Sequence, residues 1–103
     1  MTKDKINEDY NSNLYKALLS LQTEEECKKF FDDICTIGEL NSIAQRLEVA
    51  RLLDKEETFV EIGEKTGASS ATISRVNRCI RYGEGGYKIV LDRLKENKCT
   101  QRA

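Results

Sequence analysis

The sequence predicts an all-α fold of six helices, and three observations carry that prediction. Apolar residues recur every three or four positions along most of the 103 residues. Three T-x-x-E signatures, at Thr23, Thr36 and Thr58, mark helix starts. The chain has no proline, so no helix interior lacks a backbone donor. A composition of 39% apolar and 34% charged residues suits one soluble domain without room for a second core.

Residues 1–9 are polar and charged and are expected to form a flexible arm. They contain no apolar stretch of the signal-peptide kind, and the cytoplasm is the expected compartment. No segment reaches the roughly 18 apolar residues that a membrane crossing needs, so no membrane partner is expected. A single helical domain is read over residues 10–98, followed by a frayed tail at 99–103.

The first helix, over residues 11–22, carries Leu14, Leu18 and Leu21 on one face. Thr23-Glu24-Glu25-Glu26 opens the second, whose apolar face is Cys27, Phe30, Phe31 and Ile34. Thr36-Ile37-Gly38-Glu39 opens the longest periodic run: Leu40, Ile43, Ala44, Leu47, Ala50 and Leu53. Thr58-Phe59-Val60-Glu61 starts a short fourth helix that should stop at Gly67 in the left-handed position. Ser69 or Ser70 caps a fifth helix running to about Tyr82. Gly83-Glu84-Gly85-Gly86 breaks the chain before a last helix carrying Tyr87, Val90, Leu91 and Leu94. Several of these apolar stripes are wide for a chain of this size, and a homodimer is a reasonable way to cover them.

Charge is unevenly placed. Residues 1–57 hold 8 basic and 13 acidic side chains. Residues 58–82 hold four basic (Lys65, Arg75, Arg78, Arg81) and two acidic (Glu61, Glu64). No acid lies between Ser69 and Tyr82, and a local basic face on an acidic chain is the footprint expected for phosphate. Without histidine, Ser/His/Asp and Cys/His catalytic arrangements are excluded. Cys27, Cys35, Cys79 and Cys99 form no C-x-x-C pair, so they are read as buried or semi-buried thiols and no metal site is expected. No catalytic residues are identified, and the chain is not expected to be an enzyme.

The informative stretch runs from Ile62 to Arg75 within a helix-turn-helix at about residues 58–82. Gly63 is read as letting two helices cross closely, Gly67 as making the turn, and Ile62 and Ile73 as locking the pair from inside. Ser69, Ser70, Ala71, Thr72 and Ser74 cluster at the start of the second helix, where small and hydroxyl-bearing residues allow close approach to base edges in a major groove. Arg75, Arg78 and Arg81, with Lys65 nearby, are placed to meet the phosphate backbone. Double-stranded DNA is the expected partner.

The words Arg46-Leu47-Glu48-Val49-Ala50-Arg51-Leu52-Leu53 and Ala68-Ser69-Ser70-Ala71-Thr72-Ile73-Ser74-Arg75-Val76-Asn77-Arg78 resemble the Trp-repressor-like family, in its short TrpR-like YerC/YecD branch. Leu14-Tyr15-Lys16-Ala17-Leu18 and Phe30-Phe31-Asp32-Asp33 fit the same branch, so the resemblance extends from about Tyr10 to Lys95. It implies a six-helix Trp-repressor-like domain, an intertwined homodimer and two helix-turn-helix heads reading a two-fold operator. It also implies a corepressor pocket around Gln45 or Arg46, Arg75, Val76 and Cys79. There the chain departs from the tryptophan-responsive pattern, because Val76 stands where a glycine follows the stacking arginine and Cys79 matches a serine. Tryptophan is therefore not the expected corepressor; another small ligand, or no cofactor at all, is.

Phe30, Phe31, Phe59 and the four tyrosines are read as core or dimer interface. The expected function is a sequence-specific transcriptional regulator, a repressor acting as a homodimer. The alternative is a protein-interaction module on the same fold that has lost DNA binding, which the acid-rich first half would suit.

Overall fold

The computed structural model describes residues 2–102, with side chains described over residues 8–96. Among the described residues the fold is six α-helices without a strand: α1 (Thr2–Ser20), α2 (Glu24–Ile34), α3 (Ile37–Asp54), α4 (Phe59–Thr66), α5 (Ser70–Tyr82) and α6 (Gly86–Arg102). Helix covers most of what the sequence suggested as an arm at 1–9 and a tail at 99–103. Cys99 lies outside the described side chains. Within the span read as one domain, contacts group into two compact units, Met1–Leu40 and Asn41–Ala103.

In the first unit, Thr23 caps α2 by accepting from the Glu26 N–H at 3.0 Å. The reciprocal bond expected at Thr23 goes one residue earlier: the Gln22 N–H donates to the Glu26 carboxylate at 2.8 Å. At Thr36 the box closes as expected, with Thr36 N–H to Glu39 at 2.9 Å and Glu39 N–H to the Thr36 hydroxyl at 3.1 Å. Phe30 and Phe31 meet edge to face with centroids 5.8 Å apart. No described side chain of this unit is buried, and Leu19 and Ile37 stand 85% and 81% exposed. The periodicity that makes these helices amphipathic thus leaves their apolar stripes open to solvent.

The second unit holds the core: Val49, Ala50 and Leu52 from α3, Ile62 from α4, Ala68 from the turn, Ile73 and Val76 from α5, and Leu91 from α6. Helix α3 ends without glycine. Glu56 takes φ 65, with Glu57 N–H donating to the Leu52 carbonyl at 3.1 Å and Glu56 N–H to the Leu53 carbonyl at 2.9 Å. That is a Schellman closure built on a glutamate. The Lys95–Asp54 ion pair, 2.6 Å long, ties α6 to the end of α3.

Candidate nucleic-acid interface

The two helices that matter are built from local signals. Thr58 and Glu61 form a complete capping box at the start of α4, at 2.8 and 3.1 Å. The Thr58 backbone N–H and hydroxyl hold the Glu61 carboxyl below its ordinary pKa. At the other end Gly67 adopts φ 74, and its N–H donates to the Gly63 carbonyl at 2.9 Å. A side chain there would be strained, as only glycine visits this region freely. The Thr66 hydroxyl donates to the Ile62 carbonyl at 2.7 Å and accepts from the Ala68 N–H at 3.1 Å, which pins the turn. Ile62 and Ile73 are 0% and 2% exposed and face inward as the sequence indicated. Gly63 is less constrained than its sequence reading: an added Cβ would lie 3.6 Å from the Ala68 carbonyl oxygen, an ordinary contact.

Ser69 caps α5, accepting from the Thr72 N–H at 3.1 Å and donating to the Thr72 hydroxyl at 3.1 Å. Those two hydroxyls are engaged with each other, and Thr72 is half-buried. Ser70, Ala71, Ser74, Arg75, Arg78 and Arg81 are all exposed. Arg81 leans on the Asn77 side chain at 3.5 Å. Among the described residues neither Arg75 nor Arg78 has an ion-pair partner. Lys65 differs, because its ammonium pairs with Glu57 at 2.7 Å, and that bond raises its pKa.

The residues expected around a corepressor do not all converge. Arg46, Thr72, Arg75, Val76, Cys79 and Tyr87 line one cavity of about 210 Å³. Gln45 is not among the cavity's lining residues and donates instead to the Thr66 carbonyl at 3.1 Å, whereas Arg46 lines the cavity with Arg75. Val76 is 2% exposed and belongs to the core. Burial pushes the Tyr87 phenol up, with Cys79 adding to the shift and Arg46 and Arg75 opposing it. A larger groove of about 630 Å³ lies alongside, lined by Ile43, Leu47, Tyr87 and Val90 among others.

One sequence reading needs correction. Cys79 is exposed rather than buried, because it sits at the edge of the α5 core face; Cys27 and Cys35 are half-buried. Of the aromatic residues, Phe30, Phe31 and Tyr87 are half-buried, but Tyr10, Tyr15, Phe59 and Tyr82 are exposed.

An all-helical chain with a glycine-turned helix-turn-helix, its second helix presenting an acid-free outer face, is the class that this fold and surface define. Residues 10–95 match the family described as Trp repressor protein. The chain belongs to the Trp repressor family. It is 51% identical over 98 residues to YerC of Bacillus subtilis (strain 168), itself uncharacterised, covering 95% of this chain and 94% of YerC. A Trp operon repressor homolog of Chlamydia trachomatis serovar L2 is 31% identical over 84 residues, covering 77% of this chain and 89% of that protein. The crystal structure of a TrpR like protein from Eubacterium eligens ATCC 27750 superposes with a TM-score of 0.84 at 48% identity, covering 89% of this chain and 95% of that one.

Proposed function

We propose that the chain is a sequence-specific DNA-binding transcriptional regulator, a cytoplasmic repressor that acts as a homodimer and performs no catalytic step. The observation that carries this reading is the outer face of α5. Ser70, Ala71 and Ser74 stand exposed at its N-terminal end, with the unpaired Arg75 and Arg78 directly behind them. In a major groove the small residues meet base edges and the guanidinium groups meet phosphate or guanine. Arg81 extends the basic row, and Lys65 is a peripheral phosphate contact shared with Glu57. Ser69 and Thr72 act through the cap that holds this helix end in shape.

A second copy is the occupant that the open apolar surfaces fit, because a closed two-fold dimer brings the same surfaces together twice. Two such copies carry two heads, so the operator is two-fold related. DNA binding does not depend on tryptophan: Val76 fills space beside Arg75, and a β-branched wall disfavours a flat indole. A different small ligand between Arg46 and Arg75 is compatible with the cavity's size and charge.

Selection of duplexes from a random pool tests the proposal. Enrichment of one two-fold-related sequence is expected. No enrichment, together with recovery of a protein partner, would replace this reading with that of an interaction module.

A further inference from the structure

We infer that Tyr82 is a further DNA-contacting residue, donating its phenolic hydroxyl to a phosphate at the far end of the recognition helix; the inference rests on the proposed DNA binding. Ala71, Arg75, Arg78 and Tyr82 step along α5 by four, three and four residues, which sets them in one stripe opposite the buried Ile73 and Val76. Tyr82 is 82% exposed and its hydroxyl has no partner among the described residues. On the other side of the glycine break, Tyr87 packs on the core, so the two tyrosines have opposite surroundings.

The end of the stripe is held in place. The Gly83 N–H caps α5 on the Cys79 carbonyl at 2.8 Å, and the backbone at this cap would put an added Cβ at Gly83 2.4 Å from that same carbonyl oxygen, four residues back. Tyr82 therefore projects from a capped helix end. The groove of about 630 Å³ is bordered by Cys79 of α5 and by Gly83 just beyond it, not by Tyr82, so an occupant of that groove need not cover the ring.

Reach decides which part of the duplex Tyr82 meets. Eleven residues of helix separate Ala71 from Tyr82, about 16 Å along the axis. A major groove is about 12 Å wide. A helix that inserts its first turn between base edges brings its last turn to a phosphate rim. A neutral hydroxyl there positions the helix without reading sequence and releases no counterion.

The test compares the full chain with Tyr82→Phe and Arg78→Ala on two duplexes: one selected by the parent protein and one scrambled. Tyr82→Phe should weaken both by about ten-fold, the low end for one hydrogen bond to a charged group, and leave the salt dependence of binding as in the parent. Arg78→Ala should lower that salt dependence. If Tyr82→Phe binds both duplexes as tightly as the parent, or if its loss tracks weaker self-association in sedimentation equilibrium, the inference is overturned while DNA binding stands. If the parent binds neither duplex, both readings fall together.

Discussion

The Gln45 side-chain amide donates to the Thr66 carbonyl at 3.1 Å, joining α3 to the last residue of α4 across 21 positions of sequence. Thr66 in turn pins the turn into α5 through Ala68. The helix-turn-helix is thus fastened to the core at the point where its direction changes. Gln45→Ala removes the donor and should cost about 1 kcal/mol, the usual net value of such a bond. Urea unfolding would measure it as a lower midpoint with an unchanged slope.

Glu56 closes α3 at a positive φ where most helices place glycine. A left-handed L-residue costs about 1–2 kcal/mol. Glu56→Gly should therefore stabilise the protein by about 1 kcal/mol, after the greater freedom of the unfolded chain is subtracted. A raised denaturation midpoint would confirm it, and a lowered one would show that the Glu56 side chain contributes more than its backbone strain costs.

Glu61 carries the clearest pH dependence near the helix-turn-helix. Its carboxyl is held below the ordinary value, chiefly by the Thr58 backbone N–H and then by the Thr58 hydroxyl. A depressed folded pKa gives stability that is fully present above the unfolded glutamate value, about 4.3, and is lost as pH falls through the lower folded value. Glu61→Ala should be less stable than the parent at pH 7, and the difference should shrink as pH is lowered from 5 to 3. Parallel stability curves over that range would contradict the assignment.

Arg78 and Lys65 make unequal contributions to DNA binding in this account. Arg78 is unpaired on the outer face of α5, whereas Lys65 already holds Glu57. Arg78→Ala should cost about 1–3 kcal/mol on a selected duplex if it reads a base. Lys65→Ala should cost less, because pairing with phosphate must first displace Glu57. Fluorescence anisotropy at one fixed salt concentration would rank the two.

The helices were legible because their signals are local. Thr36 and Thr58 begin their helices as capping boxes, Ser69 caps α5, and Gly67 ends α4 in the left-handed conformation. The end of α3 was not legible, since nothing in the composition of Lys55-Glu56-Glu57 announces a left-handed glutamate. The outward face of α5 followed from its register against Ile73, while the burial of Val76, read from the sequence as a pocket residue, did not. Burial of single residues followed less well: Cys79 is read from the sequence as a buried or semi-buried thiol, yet its angular position on the helix put it in solvent. That Gln45 spends its amide on Thr66 depends on a contact 21 residues away, which no local pattern encodes.

The measurement that tests the central claim most directly is the affinity of the full chain for its selected duplex against a scrambled one, titrated from roughly 50 to 200 mM salt. Specific binding at least about a thousand-fold tighter than non-specific, with both falling as salt rises, is the predicted result. Equal affinity for the two duplexes at every salt concentration would contradict it.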